Sequence, residues 1–469
     1  MITISFENRK EKSLCEFLYD SIKLQILDGT LKPLEKLPSK RNLSANLGVS
    51  VITVQNAYNQ LISEGYIFSI EKKGFFVTDL NLENLKNKNQ SENIQKVQIP
   101  DFKEEKIKYF ADFSSNSTSF EKFPFGLWSH VMRGVLNSGD EKLLERIGVK
   151  GVFELRTAIC KYLKEFRNMN VFPNQIVIGS GTESLYAMVV QLLGRKNIFA
   201  VENPGFKKVS RIFELNGAKV LPVDIDFQGI KIDSLKNVNV VHISPSHHFP
   251  TGIVMPVRRR KELLSWVLKE KNRFIIEDDY DSEFRFNGKP LNTLQSEDES
   301  GRIIYINTFS KTLSPSFRIS FMVLPQNLLS DFEQKFAFFT SSVSSFEQFT
   351  LAEFINQGYF GKHIIRMKNY YRNLRNFLIS ELEKSKISSF AKIQEEESGL
   401  HFLLKVASSK SVEQIQNELK NYGINLPLLK DYFYKEIPAE CKNIFLMNYS
   451  GIKKSDVPKI VEILEKIIN

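Results

Sequence analysis

Five short apolar runs constrain the fold of this chain most: Ile176–Ile178, Ile198–Val201, Val240–Ile243, Phe274–Ile276 and Ile303–Ile306. Each is continuous rather than alternating, and amphipathic stretches such as Glu183–Leu193, Phe206–Leu215 and Arg258–Lys269 lie between them. A strand that is apolar on both faces must be covered by helices above and below. The order therefore predicts a doubly wound α/β domain with a mostly parallel sheet. The final stretch, about 375–469, has a mixed pattern and is expected to form a smaller α+β subdomain.

The 469 residues leave room for more than this domain. A polar stretch rich in Asn, Gln, Lys and Glu, residues 80–108, reads as a linker between residues 1–79 and 109–469. A flexible linker of that length spans about 30 Å, enough to reach a second subunit. The polar start, Met1–Lys12, has no apolar signal-peptide core, and no apolar run is long enough for a bilayer, so a cytoplasmic protein without a membrane partner is expected. Three cysteines, Cys15, Cys160 and Cys441, exclude a disulfide framework and a cysteine-rich zinc site, and no metal is expected. The net charge of +10 permits nucleic-acid binding.

Before the linker, Leu14, Phe17, Leu18, Ile22, Ile26 and Leu27 mark an amphipathic helix that Gly29 stops. Ser39 and Gly48 bracket a second helix, and Ser50 caps a third that ends at Gly65. Tyr66–Ile70 and Phe75–Thr78 then flank EKKG as a hairpin. This is the pattern of a winged helix-turn-helix. Its third helix would place Ser50, Thr53 and Gln55 toward bases and phosphates of double-stranded DNA, with Arg41 on a phosphate and Lys72 and Lys73 at the wing tip. Basic residues from Arg9 to Lys73 are nearly balanced by acids from Glu7 to Asp79, so local placement rather than net charge must attract DNA. Leu18–Val77 resembles the GntR-type winged-helix family, which implies DNA contacts at Arg41, Ser50, Thr53 and Gly74. The family often has Arg just after the VS dipeptide; here the residue is Val51.

Beyond the linker, Ile176–Ile178 runs into GSGTES and a helix, a turn suited to a phosphate. EDDYDSEF follows the strand FII, placing acids and Tyr280 where ligands collect in α/β sheets. In TFSKTLSPSFR, Lys311 lies among hydroxyls near Arg318, a setting in which a lysine can form a Schiff base with an aldehyde. Ala111–Asn469 resembles the fold type I, aminotransferase-like proteins that use pyridoxal 5′-phosphate (PLP). The resemblance implies that Lys311 holds the cofactor covalently, Asp278 pairs with its pyridine nitrogen and Tyr280 bonds its ring hydroxyl. It implies a phosphate cup of Gly181, Thr182, Thr308, Ser310 and Arg318, with Phe206 stacked on the ring. An Asn often precedes the PTG segment in that family; here Phe249 does, and one ring-hydroxyl contact is absent. The neighbouring His247 and His248 are open to a ligand, structural or solvated role.

The pairing of the two modules resembles the MocR subfamily of bacterial transcription regulators, with SPSHHFPTG, EDDYDSEFRF and TFSKTLSPSFR in the subfamily's form. That implies a homodimer that binds operator DNA and responds to PLP or an amino compound. Transamination needs a cation for the substrate carboxylate, yet no arginine follows Arg375; Lys430 is the candidate substitute. The balance favours a sensor over a working aminotransferase, with PLP itself as effector and vitamin B6 supply as the controlled process.

Overall fold

The computed structural model describes residues 4, 12–80, 109–114, 122–288 and 291–468. The chain divides into two compact units, 1–105 and 106–469. The linker expected at 80–108 lies outside the described residues apart from its first.

In the first unit α1 (Leu14–Leu27) starts at Ser13, whose hydroxyl accepts from the Glu16 amide while the Glu16 carboxylate accepts from the Ser13 amide. This reciprocal cap satisfies two amides that the first turn leaves open. After β1 (Lys36–Leu37), α2 (Lys40–Leu47) ends at Gly48 in the left-handed region, φ 66°, which turns the chain into α3 (Val51–Ser63). The hairpin is β2 (Ile67–Ile70) and β3 (Gly74–Val77); β1 adds a third antiparallel strand that two residues were too short to announce. Leu18, Ile22, Leu43, Val54, Tyr58 and Val77 close one small core.

The second unit begins with β4 (Ala111–Asp112), α4 (Phe125–Asn137) and α5 (Phe153–Arg167). β5 (Ile176–Gly179), α6 (Thr182–Leu193), β6 (Ile198–Asn203), α7 (Lys207–Leu215), β7 (Lys219–Asp226) and β8 (Gly229–Ile230) follow. Then come β9 (Val240–Ile243), α8 (Val257–Leu268), β10 (Phe274–Asp278), β11 (Ile303–Thr308) and β12 (Ser320–Val323). These strands form one sheet in the order β5-β12-β11-β10-β9-β6-β7-β8, parallel except at β12 and β8. All five apolar runs are strands within it. β7, β8 and β12 were not evident beforehand: Pro222 interrupts β7, and β12 hides behind the loop holding Lys311.

After α9 (Leu329–Phe336) and α10 (Ser345–Asn356), the long α11 (Tyr359–Lys384) leads to the smaller subdomain. This contains β13 (Ala391–Gln394), β14 (His401–Val406), α12 (Val412–Asn421), β15 (Ile424–Asn425), β16 (Ile444–Asn448) and α13 (Val457–Ile468). Its core is wider than 375–469: Met367 and Tyr371 from α11, and Ala111 and Phe113 from the start of the unit, pack into it. β4 pairs with β15, so the start of the second unit is tied to the small subdomain.

Candidate functional site

The parallel strands β5, β6, β9, β10 and β11 point their carboxyl ends to one side, and a cleft of about 220 Å³ opens there. Gly181, Thr182, Phe206, Asp278, Tyr280, Thr308, Ser310, Lys311 and Arg318 all line it. These nine positions, from Gly181 to Arg318, are brought together at the strand ends by the order of the sheet.

At one end is an anion cradle. α6 starts at Gly181 with no side chain capping it, which leaves first-turn amides open. Gly181 has φ 93°, and a Cβ there would stand 2.6 Å from Arg318 Nη2. Arg318 Nη2 donates to the Ser180 carbonyl at 3.4 Å and contacts Glu183, which also pairs with Lys208. Thr308 Oγ1 meets Ser310 Oγ at 3.0 Å and Ser320 Oγ at 2.8 Å, holding the opposite rim.

Asp278 ends β10, buried in the floor. Tyr186 donates its hydroxyl proton to Asp278 Oδ2 at 2.6 Å, and His242 Nε2 lies 3.5 Å from the same oxygen. Asp278 Oδ1 is buried with no partner among the described residues. A buried carboxylate oxygen without a donor is costly, and a ligand N–H would satisfy it. Lys311 Nζ stands 5.9 Å over the Tyr280 ring. Burial lowers its pKa to about 8 against the opposing pull of Asp281 and Asp278, which leaves a nucleophilic amine available near neutral pH. Orphaned acid, amine and anion cradle together fit PLP.

Phe206, 45% exposed, meets Phe249 edge-on at a centroid distance of 5.6 Å. The far wall comes from the small subdomain, through Leu400, His401 and Asn448; His401 and Asn448 are direct partners in the β14–β16 ladder. Burial drives His401 well below the ordinary imidazole pKa, so it lines the cleft as a neutral group. Tyr186, His242, His401 and Asn448 were not foreseen. Tyr186 lies four residues after Thr182 on the same helix face, a usable signal; the others come from separate strands with no local pattern.

Two expectations, those for Lys430 and for the pair His247 and His248, need correction or narrowing. Lys430 does not face the cleft but pairs with Glu413. Arg375 donates to the Glu396 carbonyl at 2.7 Å and to Asn376 Oδ1, with its guanidinium 4.7 Å over Phe286. His247 and His248 are neither solvated nor on the cleft wall: both are 2% exposed, and burial takes the His248 pKa down to about 3.

In the first unit, Arg41, Ser50, Gln55, Lys72 and Lys73 are exposed, and Thr53 and Gly74 are partly so. Ser50 Oγ accepts from the Thr53 amide at 3.1 Å and meets Thr53 Oγ1 at 2.8 Å, so it fixes the recognition-helix start as well as facing outward. Ile52 is 70% exposed beside Val51, and Lys72 turns the wing at φ 60°.

Residues 14–77 match the model of the bacterial regulatory proteins of the gntR family, and residues 112–432 match aminotransferase class I and II. Over 95% of this chain and 94% of its own, the HTH-type transcriptional regulator YdeL of Bacillus subtilis is 34% identical. The probable rhizopine catabolism regulatory protein MocR of Rhizobium meliloti is 28% identical over 93% of this chain and 90% of its own. The pyridoxine biosynthesis transcriptional regulator PdxR of Corynebacterium glutamicum is 25% identical over 92% and 91%. Among solved structures, an archaeal alanine:glyoxylate aminotransferase superposes with a TM-score of 0.69 at 24% identity, covering 77% of this chain and 91% of its own. Among the described residues, no helix is long and apolar enough to cross a membrane, and no group of three or more His, Cys, Asp or Glu could hold a metal.

Proposed function

The chain belongs to the MocR subfamily of GntR-type transcription regulators, and from that premise we propose that it is a PLP-responsive DNA switch rather than a working aminotransferase. The observation that carries this reading is where the cations go. Arg375 and Lys430 are committed to Asn376, Glu396 and Glu413 outside the cleft, and no arginine follows Arg375. The described cations on the cleft wall are Lys208 and Arg318, which share Glu183, and Lys311. A substrate α-carboxylate therefore lacks the bidentate clamp that orients it for proton transfer.

When bound, PLP supplies an aldehyde that condenses with an amine and a ring that withdraws electrons. Lys311, with its pKa near 8, is about one-tenth neutral at pH 7, far more than an ordinary lysine. Gly181, Thr182, Thr308, Ser310 and Arg318 would hold the PLP phosphate. Asp278 would hold the ring nitrogen's proton, Tyr280 would meet the ring oxygen, and Phe206 would cover the ring. Lys311 sits between the large-domain floor and the small-subdomain wall, so its occupancy changes how the two close. Closure re-spaces the two winged helices of a homodimer through the linkers, and Arg41, Ser50, Thr53, Gln55, Lys72, Lys73 and Gly74 then meet different operator half-sites. PLP itself is the favoured effector over an amino compound, and vitamin B6 supply in the cytoplasm is the favoured target, as the name of the Corynebacterium relative also suggests.

The competing reading, an active aminotransferase with an accessory winged helix, draws on the complete set of nine cleft residues. Amino acids and a keto acid mixed with PLP-loaded protein decide between them. The sensor reading expects a yellow protein whose colour borohydride fixes on Lys311, without product; sustained product formation overturns it.

A further inference from the structure

His247 is fully enclosed, yet it is not packed among apolar groups. Its Nδ1 lies 2.9 Å from Asp281 Oδ2 and 3.1 Å from the Tyr280 hydroxyl. A carboxylate only accepts, so Asp281 holds the imidazole proton on Nδ1. Nδ1–H then points at both oxygens, and Tyr280 receives at its oxygen. The opposite nitrogen supports this tautomer. Nε2 is buried without a partner among the described residues, in a small void shared with Arg167 and Arg285, whose Nε atoms are likewise unpaired. A bare acceptor beside two unpaired N–H donors suits a bridging water.

The ring is also held in place from the small subdomain. A Cβ on Gly399, φ 70°, would stand 1.9 Å from His247 Cε1, while Tyr449 donates to the Gly399 carbonyl at 2.6 Å. His401 packs 4.4 Å from His247 between ring centroids and is itself tied to the Pro250 carbonyl at 3.1 Å.

From this geometry we propose that His247 is a positioning residue: anchored by Asp281, it occupies the Tyr280 oxygen so that the Tyr280 proton is presented to the ring oxygen of PLP. This rests on the reading that the cleft holds PLP with Tyr280 at that oxygen. It also gives a physical account of Phe249, which cannot offer a polar contact: the single remaining donor is aimed by a buried partner instead. A donor at the ring oxygen stabilises negative charge there, so the nitrogen linking Lys311 to the cofactor holds its proton less tightly. Asp278, Asp279, Asp281 and Glu202 all surround Tyr280 with acids, and Lys311 lies over its ring. His247 itself also faces His248, His401 and Glu395. None of these differs among the variants below.

The test is a pH titration of the visible band of PLP-loaded, full-length protein. Tyr280→Phe is expected to raise the midpoint by about one pH unit, the tenfold worth of one hydrogen bond to a charged oxygen. His247→Leu is expected to raise it in the same direction, and the double variant to add little to Tyr280→Phe alone. His247→Asn, whose amide N–H replaces Nδ1–H, is expected to stay near wild type, whereas His247→Gln, which reaches the Nε2 position, follows Leu. Thermal melts confirm folding for each. A folded, yellow His247→Leu variant with a wild-type midpoint overturns the proposal, as does full additivity with Tyr280→Phe. Failure of the wild-type protein to take up PLP at all would instead overturn the reading beneath it.

Discussion

Replacing Gly181 by Ala tests the anion cradle with one methyl group. The position has φ 93° and ψ 164°, a region that residues with a Cβ avoid, so the backbone alone costs about 1–3 kcal/mol. The new Cβ would lie 2.6 Å from Arg318 Nη2 and 2.9 Å from its Cζ. Arg318 is the flexible end of a half-exposed side chain, so it moves, leaving the Ser180 carbonyl and the first turn of α6. Removing a charge-assisted bond to phosphate forfeits about 1.5–3 kcal/mol, a loss of PLP affinity of about tenfold to 150-fold. The two effects separate experimentally. PLP titration followed by visible absorbance reads the affinity, and thermal unfolding of the PLP-free protein reads the strain. Arg318→Ala is expected to reproduce the affinity loss without the loss of stability. If Gly181→Ala binds PLP as wild type does while Arg318→Ala is impaired, the steric link between the two residues is refuted.

Other consequences are equally accessible. Arg41→Ala is expected to weaken DNA binding similarly across sequences and to lower the salt slope by about one, as for a lost phosphate contact; a changed base preference at one operator position would contradict this. The rate of PLP capture by the protein should rise about tenfold per pH unit below pH 8 and level off above it, because the lowered Lys311 pKa makes the neutral amine the dominant form there; a rise continuing toward pH 10.5 would show an ordinary lysine. Arg167 lies 2.7 Å from Asp279, both almost fully enclosed. Arg167→Met leaves that acid and the Tyr305 hydroxyl bonded to it without their cation, and is expected to destabilise the larger unit by about 3–5 kcal/mol in urea unfolding.

The strands that carry the site were legible because burial on both faces writes itself as unbroken Ile and Val. The residues that follow them, Asp278, Tyr280 and Lys311, were legible through motif resemblance and through their place after a strand. What stayed hidden depends on partners distant in sequence. His401 and Asn448 face the cleft because β14 and β16 pair in one register, and neither segment alone signals it. Lys430 looked like a substitute clamp because sequence gives charge without direction; Glu413, a helix away, had already claimed it. His247 was ambiguous for the same reason, since its surroundings come from Asp281, Tyr280 and Gly399. The net charge of +10 proved the least informative feature, because residues 1–79 are nearly balanced and their winged-helix pattern, not their charge, is what marks them.

The central claim is that PLP on Lys311 changes what the winged helices bind. Binding of the full-length protein to the DNA upstream of its own gene, with and without PLP, for wild type and Lys311→Ala, tests it most directly. The account predicts that PLP changes the affinity or the footprint of the wild type and leaves Lys311→Ala unaffected; identical binding in all four cases would contradict it.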